Sequence, residues 1–398
     1  MKPVTRLFFI STGWTLAMYS ASNFIGAWFW DIGTGILPIL LFYTILFVVM
    51  VLSFASASKI RRRLSSARMM TLGIILNAIY LALLLILKTK TRQYYIPLAM
   101  LDGLSSSFYW LSLFVLAASW VKSGQAAWYN SWTGTIEAIL GLVAPPLSGW
   151  IIQAVPGLNG YRVVFFVAFL SLLACAWLVL SQRQLEVSTG APVLASEGRH
   201  LPVIPGWRRL VTSFGVLGLR DGMYFFVPSL ILYIVTRSTI LLGLFNAMQA
   251  AIEGVVFWAL TRAHGPLAGR MGLVLATGVS LLALGLLWVP LGTGVLFLLG
   301  AIIAVSYPAF KVALESSALA LITQNSRDDE DRTQLTGIKE VWINSGRLVS
   351  LVFLLILLAS LGPLHIPDFR WILGLWAFVP LILYALSRNI RSVLSDFS

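Results

Sequence analysis

The chain has 398 residues, 59% of them apolar and only 11% charged, with a mean hydropathy of +0.88. An ordinary soluble domain carries about 25% charged residues, so a soluble enzyme and a disordered chain are excluded, and the lone cysteine, Cys175, excludes a disulfide scaffold. The net charge of +13 would point to nucleic acid in a soluble protein, but here the basic residues fall in short loops between apolar runs, where they set topology and meet anionic lipid heads.

A membrane-crossing helix needs about 20 mostly apolar residues. Twelve runs of that kind are predicted: residues 6–29, 34–57, 69–88, 96–121, 127–152 and 161–181, then 208–235, 238–261, 271–290, 293–322, 335–361 and 369–388. No cleavage site follows the N-terminus, so the first run reads as a retained span. It carries a polar stripe of Ser11, Thr15, Tyr19, Ser22 and Asn23. Such a stripe either satisfies neighbouring helices or lines a cavity, and Tyr19 and Asn23 are cavity candidates. Trp28, Trp30, Tyr94 and Tyr95 read as interfacial belts. Tyr109, deeper in the fourth run, is a candidate contact for an apolar or cationic substrate. The apolar pattern lapses over 182–207, which reads as a hydrophilic linker. The expected organisation is a six-helix half over 1–181, the linker, and a second half over 208–398 with a short tail.

Orientation follows from the loops. With the N-terminus inside, the inner loops receive Lys59, Arg61, Arg62, Arg63, Arg68, Arg208, Arg209, Arg262, Arg270 and others, while Lys88, Lys90, Arg92, Arg162, Arg237 and Arg370 fall outside. The bias is roughly three to one and places both termini in the cytoplasm. The halves also echo each other. Thr133-Gly134-Thr135-Ile136-Glu137 matches Thr336-Gly337-Ile338-Lys339-Glu340, Met18-Tyr19 matches Met223-Tyr224, and Ser107-Phe108 matches Ser306-Tyr307. All three offsets are about 200 residues, half the chain, as expected of a parallel two-half repeat.

These features together resemble the major facilitator superfamily over the whole chain. That family's loop between spans 2 and 3 carries a G-x-x-x-D-[RK]-x-G-[RK]-[RK] motif, and this chain reads Phe54-Ala55-Ser56-Ala57-Ser58-Lys59-Ile60-Arg61-Arg62-Arg63 there. Lys59, Arg62 and Arg63 fit. Phe54 and Arg61 replace glycines, and Ser58 replaces the acid that takes part in the family's cytoplasmic lock. The fifth run, Gly141-Leu142-Val143-Ala144-Pro145-Pro146-Leu147-Ser148-Gly149-Trp150, resembles the G-x-x-x-G-P-x-x-G-G motif of facilitator antiporters at Gly141, Pro146 and Gly149. A merely kinked helix explains the same residues, while the antiporter resemblance implies export. Lys339 to Arg347 resembles a poorly characterised bacterial branch sometimes called YqgE-like, which brings no secure substrate.

An ionisable group in mid-membrane costs about 2.5–3.5 kcal/mol on insertion scales and is functional by default. This chain places Asp102, Glu137, Arg220, Asp221, Glu253, Lys311, Glu315, Lys339, Glu340 and Arg347 in its apolar runs. Lys311 and Glu315 share a helix face, as an intrahelical pair or as part of a cavity. Glu340, Asn344 and Arg347 form one stripe, for which cavity lining is expected. Arg220 and Asp221 are about 100° apart around a helix, so each is expected to find a partner elsewhere. Tyr224 and Pro228 on that run fit a bending cavity helix. Arg347 stays charged and is expected to meet Glu253, Asp221 or Glu315. Glu137 and Glu253 have no basic neighbour at helical spacing. A carboxyl removed from water resists ionisation and can exchange a proton near neutral pH, so these two lead the proton-coupling candidates, with Glu340 and Asp221 beside them. Asp102 lies near the outer end of its run and is expected to reach water.

His200, His264 and His365 fall in loops, and no metal or cofactor site is expected. Asn325 to Arg332 reads as a solvated loop. The expected fold is an all-α membrane protein with two six-helix halves. The expected activity is secondary transport of a small organic or amphipathic molecule across the cytoplasmic membrane, by proton-coupled export from a monomer. The rivals are import or uniport of a metabolite anion, with Arg220, Lys311 or Arg347 as counter-ions, and a non-transporting sensor or lipid scramblase.

Overall fold

The computed structural model describes residues 3–57, 59–60, 64–120, 123–181, 204–262, 266–326, 329–361 and 368–387. All regular structure among them is helical. In chain order the helices are α1 (Pro3–Ala21), α2 (Ile25–Asp31), α3 (Ile36–Ala55), α4 (Ser66–Leu87), α5 (Tyr95–Trp120), α6 (Ser123–Ala154) and α7 (Asn159–Leu180). They continue with α8 (Trp207–Tyr224), α9 (Val227–Thr236), α10 (Thr239–Arg262), α11 (Pro266–Leu281), α12 (Thr293–Asn325), α13 (Asp329–Leu361), α14 (Phe369–Leu375) and α15 (Val379–Ser387). Among the described residues, 10 helical stretches are long and apolar enough to cross a membrane, and Met271–Gly285 is a shorter apolar helix. The protein is a multi-pass, all-helical membrane protein.

Each apolar run coincides with a helix or a broken pair of helices, and the breaks are informative. The first run is not one helix: α1 stops at Ala21, Ser22–Phe24 form a 3-10 turn, and α2 resumes at Ile25. A second break separates α8 from α9 at Phe225 and Phe226. Pro228 sits in the first turn of α9, where its missing N–H costs nothing and its fixed φ favours a fresh start. The matching pairs Met18-Tyr19 and Met223-Tyr224 lie just before these two breaks, so the repeat visible in sequence returns as a shared discontinuity. The ninth run tightens after Leu281 into a 3-10 segment, Leu282–Trp288. Of the linker at 182–207, residues 182–203 lie outside the described residues, and α8 begins at Trp207.

The chain forms two compact units, Met1–Leu201 with Ser326–Val341, and Pro202–Asn325 with Trp342–Ser398. In the first, α1 packs on α6 and α7, α4 packs on α5 and α7, and α3 packs on α5. Trp28 is fully buried against the rings of Tyr161 and Phe165 rather than at an interface. Its ring area is worth more in this core than at a lipid boundary. Asp102 does not simply reach water. Buried Asn77 of α4 donates to its Oδ1 at 3.2 Å and to Ser105 Oγ at 3.0 Å, tying α4 to α5. The stretch read as a solvated loop is also corrected. Residues 327 and 328 lie outside the described residues, α13 starts at Asp329, and Asp331 is buried. Acids such as Glu330 and Asp331 in the first turn of a helix are stabilised by its dipole.

In the second unit, α10 and α11 pack on α12, and α8 packs on α12 and α15. α8 and α13 meet at their backbones. A Cβ on Gly218 would strike the Ile343 backbone, and one on Gly346 would strike that of Gly215. Helix pairing in lipid lacks a hydrophobic drive and relies on such close approach of small residues.

Candidate functional site

The close α8–α13 contact delivers ionisable side chains to one place in the second unit. Arg220 on α8 is 1% exposed. Its Nη2 donates to Ser306 Oγ at 2.8 Å and to the Ile303 carbonyl at 3.1 Å, both on α12. Its guanidinium lies 5.5 Å from the ring centroids of Tyr224 and Tyr307, a cation–π arrangement worth about 2 kcal/mol when desolvated. Tyr224 is four residues on, on the same face, and its hydroxyl donates to the Leu373 carbonyl at 2.8 Å. Arg220 is thus a pin between α8 and the segment of α12 that precedes Pro308.

Asp221 lies between two guanidiniums. Arg220 Nη1 is 3.4 Å from its Oδ1, and Arg347 Nη2 of α13 is 3.5 Å from its Oδ2. Arg220 and Asp221 each find the expected partner on another helix, Arg220 in Ser306 and Ile303 and Asp221 in Arg347, but the two also touch each other, which their angular separation around the helix did not suggest. Among the acids considered for Arg347, Asp221 is in ion-pair contact with it. Fully buried Asn344, one turn earlier on α13, accepts from Arg347 Nη1 at 3.1 Å. A charge removed from water needs such partners to avoid a penalty of several kcal/mol.

Three further candidates belong to this surrounding. Glu253 of α10 is half-buried, within electrostatic reach of Lys311, Arg220 and Asp221. Lys311 of α12 is exposed, with its Nζ 5.3 Å from the Tyr307 ring centroid. Tyr307 itself is within reach of Lys311, Asp221, Arg347 and Glu253. Glu315, half-buried, stands one turn beyond Lys311. Ser306 and Tyr307 were visible in sequence only as a repeat pair. The signal that could have singled them out is Pro308, which interrupts the hydrogen-bond ladder of a long helix beside them.

The remaining candidates fall in the first unit. The stripe on α13 is divided: Glu340 belongs with the first unit and pairs with Lys339 Nζ at 3.1 Å, while Asn344 and Arg347 belong with the second. Lys339 also lies 5.0 Å from the Phe114 ring centroid. Tyr109 is 1% exposed and stacked on Trp14 with centroids 3.7 Å apart, so its ring face is already covered. Asn23 occupies the 3-10 turn after α1, half-buried, and its amide donates to the Tyr19 carbonyl at 3.2 Å. Glu137 is exposed on α6. α6 continues through Pro145 and Pro146, with Gly141 and Gly149 buried and Pro146 half-buried. Lys59 is exposed, and Arg62 and Arg63 lie outside the described residues. At the start of that motif a Cβ on Gly337 of α13 would lie 3.1 Å from the Phe54 carbonyl.

A comparison against protein-family models finds no match. The chain is 25% identical to the uncharacterized protein YqgE of Bacillus subtilis (strain 168) over 382 residues, 95% of this chain and 88% of that one. Its fold is similar to that of a bacterial homologue of the iron transporter ferroportin in an inward-facing state, with a TM-score of 0.71, 16% identity and 98% of each chain covered. It is also similar to the human organic anion transporter MFSD10, with a TM-score of 0.66, 14% identity, and 96% of this chain and 98% of that one covered. The chain has the fold of the major facilitator transporters.

Proposed function

We propose that the protein is a secondary active transporter. It moves a small organic or amphipathic molecule across the cytoplasmic membrane by alternating access, in exchange for protons and in the direction of export. The observation that carries this reading is the Arg220–Asp221–Arg347 cluster, with Arg220 and Asp221 buried and Arg347 partly exposed, within electrostatic reach of which lies Glu253. Buried charges of this kind are costly in a membrane protein and mark substrate or ion pathways. Twelve spans in two six-helix halves, both termini in the cytoplasm and a working monomer complete the proposal. The roughly three-to-one loop bias supports the orientation. The Gly141, Pro146 and Gly149 pattern supports export.

Of the neighbours named above, one is a homologue of an iron transporter and the other is an organic anion transporter. Among the described residues no group of three or more His, Cys, Asp or Glu is placed to hold a metal ion. The two guanidiniums beside a single aspartate favour, as a second reading, import or uniport of a metabolite anion by the same cluster.

Inside-out vesicles from cells with and without the protein test the proposal. A pH-sensitive dye reports an imposed proton gradient while organic anions, cations and neutral compounds are added in turn. The expected result is gradient loss on addition of one class of compound, only where the protein is present. A protein that binds compounds yet moves neither protons nor solute would be a sensor instead.

A further inference from the structure

The two arginines that flank Asp221 are not equivalent. Arg220 has a side chain 2% exposed, is hydrogen-bonded to Ser306 and Ile303, and is faced by two tyrosine rings. Moving it would break two good hydrogen bonds across α8 and α12. Arg347 has a side chain 22% exposed; its 3.5 Å contact with Asp221 matches the 3.4 Å of Arg220 in length, so solvent access and not distance sets the two apart. Its backbone is fixed, since Ser350 Oγ donates to its carbonyl at 2.8 Å and Gly222 packs against it. Only the end of the side chain is in a position to change partner. If it does, Asp221 keeps Arg220 and is not left as an isolated buried charge.

From this asymmetry we propose that Arg347 is the substrate-recognition residue and that Asp221 is its placeholder: an oxyanion on the substrate, carboxylate or phosphate, displaces Asp221 from Arg347 while Arg220 holds the released aspartate. The planar guanidinium suits a two-oxygen anion. Asn344, through its bond to Nη1, sets the fork's orientation. Lys311, exposed on α12, and half-buried Glu253 are further charged groups in electrostatic reach of one another, and Glu253 also of Arg220 and Asp221 in the cluster. The inference rests on the transporter reading for its direction of use, but binding itself needs neither a gradient nor flux.

The test is thermal unfolding of the purified full chain in detergent with sodium acetate, benzoate or phosphate, against sodium chloride at equal ionic strength. At least one of the three oxyanions is expected to raise the unfolding temperature of the wild type. In Asp221→Asn the competitor is neutral, so the same anion should bind about tenfold tighter. A residue with a purely structural role would give no such gain. Arg347→Gln should abolish the response. Arg347→Lys, which keeps the charge without the fork, should weaken it several-fold and serves where the glutamine variant does not fold. The proposal is overturned if none of these anions stabilises either the wild type or Asp221→Asn, or if the response survives in Arg347→Gln. Binding through Arg347 without any flux would support this inference and sink the transporter reading, so the two fail separately.

Discussion

Gly222 packs directly against Arg347: a Cβ on Gly222 would stand 2.5 Å from the Arg347 carbonyl oxygen and 2.7 Å from its Cα. These are backbone atoms and cannot swing aside. The contact sets the distance between α8 and α13 at the level where Asp221 reaches Arg347. Gly222→Val should therefore force the helices apart, cost about 1–3 kcal/mol as an overpacked contact does, and abolish any activity that depends on the pair. Fluorescence-detected gel filtration after a heating series would show it. Wild-type stability in this variant would mean that the close approach is not needed.

The two arginines should respond differently to removal. Arg220→Ala removes one of the two guanidiniums beside buried Asp221 and the bonds to Ser306 Oγ and the Ile303 carbonyl, the latter keeping only the Ser306 hydroxyl as donor. Breaking a buried pair in this way costs about 3–5 kcal/mol. Arg347→Ala leaves Asp221 beside Arg220 and removes a partly solvated group, for a cost nearer about 1 kcal/mol. Thermal unfolding of the two variants side by side decides it. A larger loss for Arg347→Ala than for Arg220→Ala would reverse the assignment of anchor and mobile residue.

Asn77→Ala removes both hydrogen bonds between α4 and α5 made by a fully buried amide. A loss of about 1–2 kcal/mol is expected, at the upper end for polar contacts between membrane helices. Asp102→Asn retains a carbonyl oxygen to accept from Asn77 and should cost less. Equal losses in the two variants would mean that the carboxylate charge, not the hydrogen bond, holds the helices.

Much of the fold could be read from the sequence because lipid imposes length. Apolar runs of helical length located the long helices, though not the 3-10 segment Lys88–Gln93 or the start of α13 at Asp329, and loop charge gave an orientation to test. The breaks were less legible. Ser22–Phe24 contains no proline or glycine to mark its turn in the sequence. The site was half legible. Asp221 and Arg347 stood out as intramembrane charges, but no spacing rule says that the Gly218–Ile343 and Gly346–Gly215 contacts would unite them. Helical-wheel reasoning separated Arg220 from Asp221 because it treats a flexible five-atom reach as a radial vector. It joined Glu340 to Arg347 because a stripe on one helix looks continuous even when its two ends belong to different compact units. Asp331 looked solvated for want of any sequence sign that its turn would be buried.

The orientation has its own test. Cys175 is buried, with its Sγ 3.5 Å from the Ile10 carbonyl, so it gives little background. Lys59→Cys places a thiol at an exposed position in the basic loop. A membrane-impermeant maleimide should label it in inside-out vesicles and not in intact cells. Labelling from outside the cell would invert the topology.

Coupling through the charged cluster is the central claim, and Glu253→Gln tests it most directly. The amide keeps the shape of the side chain but cannot carry a proton. In proteoliposomes, the compound that discharges the gradient in the vesicle screen would be followed as uphill accumulation driven by an imposed pH difference, and as exchange against itself with no gradient. The account predicts that the wild type does both, and that Glu253→Gln loses accumulation while retaining exchange, because exchange needs no net proton movement. Full uphill accumulation by Glu253→Gln would contradict it.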